Sequence, residues 1–109
     1  MYHVVFLVTR KEGMSQEEFT DYWINQHCPL TAQLPGLRTY RCYPFTTGLL
    51  DTYERPPFDA IAFIGFDDEP MAQTALASDE FRTAVADGAN FQDVSKTYGY
   101  AAQEFVIVE

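Results

Sequence analysis

The sequence predicts an α+β fold in which four strands and two helical regions follow the order βαββαβ, giving an antiparallel sheet with its helices on one face. Three observations carry that expectation. Runs rich in β-branched and aromatic residues stand at 2–9, 37–45, 59–66 and 101–108. Helix-start signals occur at Ser15 and at Asp67-Asp68-Glu69-Pro70. The chain has 109 residues, enough for one core, so the domain is expected to span 1–109.

Taken in order, YHVVFLVT (2–9) reads as a buried strand, followed by a turn around Gly13. Ser15 opens a helix with a capping box: its hydroxyl takes the Glu18 amide while the Glu18 side chain reaches back to the Ser15 amide. At about 100° per residue, Phe19, Tyr22, Trp23, Leu30 and Leu34 share one stripe that must face a sheet. Pro29 lacks the amide that would bond the Asn25 carbonyl and its ring crowds that carbonyl, so a kink is expected around 25–29. Pro35-Gly36 ends the helix. LRTYRCYPF (37–45) alternates as a second strand, and 46–58, with Gly48, Pro56 and Pro57, reads as a loop long enough to cover something. DAIAFIGF (59–66) is a third strand. Pro70 suits a helix start, Ser78 caps a further segment in which Phe81 and Val85 share a face, and AAQEFVIV (101–108) closes the domain.

This is the ferredoxin-like split arrangement. One sheet face is left without helices, and in this sequence it is not polar. Val4, Phe6 and Val8 alternate with Val5 and Leu7, so the first strand is apolar on both faces. Such a sheet needs a second cover, and the sheet of a twin subunit is the economical one.

Composition narrows the function. Seven basic residues stand against sixteen acidic ones, a net charge of −9, which is the wrong sign for a nucleic-acid or anionic-membrane surface. No apolar run approaches the ~20 residues of a bilayer span. The two cysteines, Cys28 and Cys42, read as free thiols in a reducing compartment, with one disulfide between them as the unsupported alternative, so a cytoplasmic location is expected. Aromatic residues make up 16% of the chain, which suits a hydrophobic pocket for a flat or greasy ligand as well as a core.

One constellation bears on chemistry. Phe19, Trp23 and His27 recur at i, i+4 and i+8, on the inward side of the first helix. On a straight helix His27 falls at the edge of the apolar stripe and Gln26 nearer its middle, and the Pro29 kink rotates one of them inward. An imidazole desolvated there stays neutral near pH 7 and serves as a base; the alternative is a helix-end histidine bonding a carbonyl. Tyr40 offers a phenol for a ligand oxygen, or simply packs. Arg10, at the end of the first strand, anchors a carboxylate or pairs with a nearby acid. Cys28 adjoins His27 in sequence, but neighbouring helical residues diverge, which argues against a Cys–His nucleophile. Zinc-ligand spacing, a Gly-rich nucleotide loop and a nucleophile elbow are all missing from the sequence, so neither metal nor nucleotide cofactor is expected.

The run VTRKEGMSQEEFTDYWINQHCPLTAQLPGLRTY, residues 8–40, resembles the EthD family of the dimeric α+β barrel superfamily. The resemblance rests on Arg10, Ser15, Phe19, Tyr22, Trp23, His27 and Leu34-Pro35-Gly36-Leu37, and extends through FDAIAFIGFDD, NFQD and the closing strand. It implies a homodimer whose sheets form a central barrel, and a pocket between each sheet and its helices lined by Trp23 and His27. Relatives include a protein encoded with an ether-degrading oxygenase system, a methylmuconolactone methylisomerase and fungal polyketide dehydratases; more distant ones are cofactor-free monooxygenases and haem-degrading enzymes. Of their functional residues, only the first-helix histidine carries over position by position, onto His27.

Residues and resemblance together give a cofactor-independent enzyme acting on a small cyclic or aromatic oxygenated compound in a catabolic or biosynthetic pathway. His27 moves a proton, Phe19, Tyr22 and Trp23 form the wall, and Tyr40 and Arg10 hold polar groups. The alternatives are an accessory protein that binds a hydrophobic metabolite without chemistry, a cofactor-free monooxygenase, and a haem protein with His27 as axial ligand.

Overall fold

In the computed structural model, residues 1–49 and 58–109 are described; the greater part of the 46–58 loop expectation lies outside them. Strand β1 (Tyr2–Val8) leads to helix α1 (Gln16–Tyr22), a π-helical turn (Trp23–His27) and the short α2 (Cys28–Thr31). Strands β2 (Thr39–Pro44) and β3 (Ala60–Phe66) follow, then α3 (Glu69–Leu76), α4 (Asp79–Asp87) and β4 (Tyr98–Gln103). The sheet order is β2-β3-β1-β4 with every neighbouring pair antiparallel, the ferredoxin-like arrangement.

Local chemistry accounts for the element starts. The Ser15–Glu18 capping box is present in both directions, each bond 3.0 Å. Asp68 accepts from the Met71 amide and Ser78 from the Phe81 amide, capping α3 and α4. Gly36 sits at φ 75°, the left-handed turn expected after Pro35.

The last strand is a correction. Its register runs from Leu7↔Tyr98 to Tyr2↔Gln103, so it begins before the predicted 101 and ends well before 108. β1 starts at Tyr2 and offers no partner beyond it. The apolar Phe105–Val108 run therefore lies past the sheet, exposed.

Alternation along the strands sorts the side chains. Val4, Phe6 and Val8, with Ala62, Ile64, Tyr40 and Cys42 beside them, face the helices. Two clusters form there, one around Val4, Leu34, Ile64 and Phe66, the other around Val8, Phe19, Trp23 and Phe91. Phe6 and Tyr40 touch both. The opposite face carries Val5, Leu7, Ile61, Phe63, Tyr43, Tyr98 and Tyr100, of which the three tyrosines are about half exposed (48%, 46% and 57%).

Candidate active site

The π-helical turn builds the site. The Cys28 amide donates to the Trp23 carbonyl five residues back. An α-helix turns about 100° per residue, whereas an i→i+5 turn spreads one more residue over each revolution, roughly 80–90° each. Over the four steps from Trp23 to His27 this takes back on the order of 60°, which carries His27 from the edge of the apolar stripe to its middle. Gln26 is left exposed. The distortion falls just before Pro29, where the predicted kink had its cause, and it decides between the two candidates in favour of His27.

His27 meets the C-terminal end of α4. Its Nδ1 lies 2.9 Å from Asp87 Oδ2. An ionised carboxylate only accepts, so Nδ1 carries the proton and Nε2 is left as the free base. Nε2 is 3.4 Å from the Thr31 hydroxyl, one turn further on. Asp87 is itself held: the Tyr22 hydroxyl donates to Oδ1 at 2.6 Å and the Asn90 amide donates to the same oxygen at 3.0 Å. The imidazole lies against the Phe91 ring, 4.6 Å between centroids. Phe91 is fixed by the backbone: its carbonyl accepts from Lys11 at 2.9 Å, and the Asp93 amide donates to the Thr9 carbonyl at 2.8 Å.

Burial lowers the His27 pKa below its ordinary 6.5, against the pull of Asp87, which favours the imidazolium. Asp87 itself is depressed: burial works to raise it, but the donors Tyr22, Asn90 and His27 prevail. The hydrogen bond to Asp87 raises the Tyr22 phenol. The result is a neutral imidazole, oriented by an ionised carboxylate, at neutral pH.

The sign for stability follows from linkage. Because the folded-state pKa of His27 is below the unfolded one, the unfolded chain takes up the proton first. The contribution is whole above about pH 6.5 and is lost as pH falls through the folded value. Urea unfolding at pH 7 and pH 5 is expected to show lower stability at pH 5, with a shallower decline in His27→Gln. An equal decline in both proteins would remove His27 as its source.

Beside this dyad, between sheet and helices, lies a cavity of about 100 Å³. It occupies the gap between the two core clusters, where Phe6 and Tyr40 reach both. Trp23, His27 and Thr31 line it from the first helical region, Tyr40 from β2, and Ala62 and Ala84 leave the space. The rest of the wall is mainly aliphatic and aromatic, with Gln92 and Thr97 as further polar groups. Drug-sized ligand sites run about 300–1,000 Å³, while an engineered dry cavity of about 150 Å³ holds benzene. This chamber is smaller than that one, so a single small ring is the upper bound on what it encloses. A haem does not fit a cavity of this size.

The residues singled out from the sequence divide accordingly. His27, Trp23 and Tyr40 come together on the cavity. Phe19, fully buried, stands one layer behind, its ring 5.8 Å from those of Trp23 and Phe91. Tyr22 is not in the lining; it turns to Asp87. Arg10 is also outside: its amide donates to Asp59 Oδ2 at 2.8 Å and its Nε lies 3.8 Å from Oδ1. Asp87 and Phe91 were not anticipated as site residues. A signal for Asp87 did exist, since a carboxylate in the last turn of a helix opposes the helix dipole and calls for another reason to be there.

Fold and cavity thus define a ferredoxin-like α+β protein with a histidine–carboxylate pair beside a small apolar chamber. The EthD domain family model matches residues 11–95, and the chain belongs to the EthD family. An uncharacterised 11.0 kDa protein encoded in the thcB–thcC intergenic region of Rhodococcus erythropolis is 30% identical over 91 residues, 82% of this chain and 84% of that protein. Among solved structures, an ethyl tert-butyl ether (EthD) family protein from Bacillus halodurans superposes with a TM-score of 0.79 at 23% identity, covering 96% of this chain and 99% of that one. HapK from Hahella chejuensis gives 0.71 at 11% identity, over 100% and 97%. A dimeric ferredoxin-like protein of unknown function from Thermobifida fusca gives 0.67 at 16%, over 93% and 88%. Among the described residues, no helix is long and apolar enough to cross a membrane.

Proposed function

We propose that this chain is a cofactor-independent acid–base enzyme that moves a proton on a small, single-ring or smaller oxygenated compound, as in an isomerisation or a dehydration. The 2.9 Å bond between His27 Nδ1 and Asp87 carries the reading, because it fixes the tautomer that leaves Nε2 basic. Nε2 would take a proton from a carbon or hydroxyl of the bound compound. Asp87 would stabilise the imidazolium so formed, and the same nitrogen would return the proton elsewhere on the ligand. Tyr40, whose hydroxyl is 3.2 Å from the Cys28 sulfur, would accept from a ligand hydroxyl, and Trp23 would form the apolar wall.

A panel of monocyclic lactones, enones and phenols, incubated with the protein in D₂O and followed by NMR, tests this. A base that opens a C–H bond exchanges that hydrogen with solvent, so His27-dependent deuterium uptake or rearrangement in at least one compound is expected. Compounds that bind and show neither would make the protein a carrier and end the catalytic reading.

We also propose that the open sheet face is covered by a second copy of the chain. The support is its composition: Val5, Leu7, Ile61, Phe63 and three half-exposed tyrosines form a continuous apolar surface with few charges. The Thermobifida fusca neighbour is described as dimeric. A two-fold contact through this face places each side chain in the interface twice, so one charge inserted there acts twice. Phe63→Glu is expected to shift the particle from dimer to monomer in light scattering. A wild-type protein that runs as a monomer at roughly 100 μM, well above the Kd of an ordinary stable dimer, refutes the arrangement.

A further inference from the structure

Apart from the histidine chemistry, the fold brings both cysteines of the chain together. Cys28 opens α2 and Cys42 lies on the helix-facing side of the edge strand β2, and their sulfurs are 3.5 Å apart. The Cys28 sulfur is also 3.2 Å from the Tyr40 hydroxyl. Both thiols are free and half-buried. We propose that Cys28 and Cys42 are a reversible redox pair, closing to an intramolecular disulfide that ties the first helical region to strand β2, with Cys28 as the sulfur that reacts first.

A disulfide needs its sulfurs about 2.05 Å apart, so each has to travel less than about 1 Å, within reach of small side-chain rotations. The two sulfurs are not equivalent. Once ionised, Cys28 can only accept, so Cys42 and Tyr40 donate to its thiolate; these bonds bring its thiol down to about 7, the Cys42 bond counting most and burial opposing. The hydrogen bond to Cys28 and burial push the Cys42 thiol up. Above about pH 7 the arrangement is therefore mainly a thiolate beside a thiol, the pairing of a nucleophilic with a resolving cysteine.

With a peroxide as oxidant the step balances. The Cys28 thiolate attacks one peroxide oxygen, the O–O bond breaks, and the departing oxygen leaves as water or alcohol after taking a proton. Cys28 is then a sulfenic acid. The Cys42 thiol gives up its proton and attacks the Cys28 sulfur; the S–O bond breaks, hydroxide leaves as water, and the S–S bond forms. Two thiols have lost two protons and two electrons, and the peroxide has taken up the electrons. A dithiol reductant reverses the change by two exchange steps.

The test uses the wild-type folded protein. After a few equivalents of hydrogen peroxide at pH 7.5, intact mass under non-reducing conditions should fall by two hydrogens. A peptide map should show Cys28 joined to Cys42, and dithiothreitol should restore the starting mass. Without oxidant, iodoacetamide should label Cys28 at least about tenfold faster than Cys42, with a midpoint near pH 7. In Cys42→Ser, peroxide should stop at a Cys28 sulfenic acid that a 1,3-diketone probe traps. Disulfides formed only between chains, or peroxide-treated protein with both thiols intact, would overturn the pairing. Equal labelling of the two cysteines would overturn the assignment of Cys28 as the first to react.

Discussion

Asp87→Asn should leave the protein folded and cut turnover by ~100- to 10,000-fold, as much as removing His27 itself. The amide keeps the size of the carboxylate, and its oxygen still accepts from the Tyr22 hydroxyl and the Asn90 amide, which now hold Asp87 Oδ1 at 2.6 and 3.0 Å. What changes is the group facing the imidazole. An amide NH₂ donates to Nδ1, so the ring proton moves to Nε2 and the base is lost on the cavity side. Long-range ¹H–¹⁵N NMR reads the tautomer without a substrate: Nδ1–H in the wild type, Nε2–H in the variant. His27→Ala should fall within the same range. The double variant should be no worse than either single one, because the two residues act as a unit. Wild-type Nε2 found protonated at pH 7.5 would defeat the assignment before any turnover is measured.

Phe91→Ala should cost about 3–5 kcal/mol, a large share of the roughly 5–15 kcal/mol that holds a domain of this kind together. Phe91 is 1% exposed. Its ring lies 5.8, 5.4 and 4.6 Å from those of Phe19, Tyr22 and His27, so it is the common wall behind both the core and the dyad. Its backbone is pinned to the turn after β1, which leaves little room to collapse into the hole. The melting temperature should drop by about 10–30 °C, against less than about 0.5 kcal/mol in urea for Val94→Ala, which is 55% exposed. A Phe91→Ala cost near 1 kcal/mol would mean that neighbouring rings refill the space.

Two sequence signals reached the right place by local means. The Ser15–Glu18 box starts the first helix because both bonds lie within three residues. Pro29 marked the distortion because its ring and missing amide act on the carbonyl four residues earlier. The form the distortion took, a π turn at Trp23–His27, was not legible, because a kink, a break and a widened turn all relieve the same clash. The closing strand misled for a related reason. FVIV is as strand-like as any run in the chain, yet pairing ends where β1 ends.

From its own chain order, then, the molecule's elements, caps, apolar faces and candidate histidine could be read, since these depend on contacts a few residues long and on side-chain periodicity. The acid that orients the histidine, the ring behind it, the thiol pair and the size of the chamber were settled by folding alone. His27 and Asp87 are sixty residues apart. Only the packing of α4 against the first helical region brings them within hydrogen-bonding distance, and no local pattern records how two helices will meet.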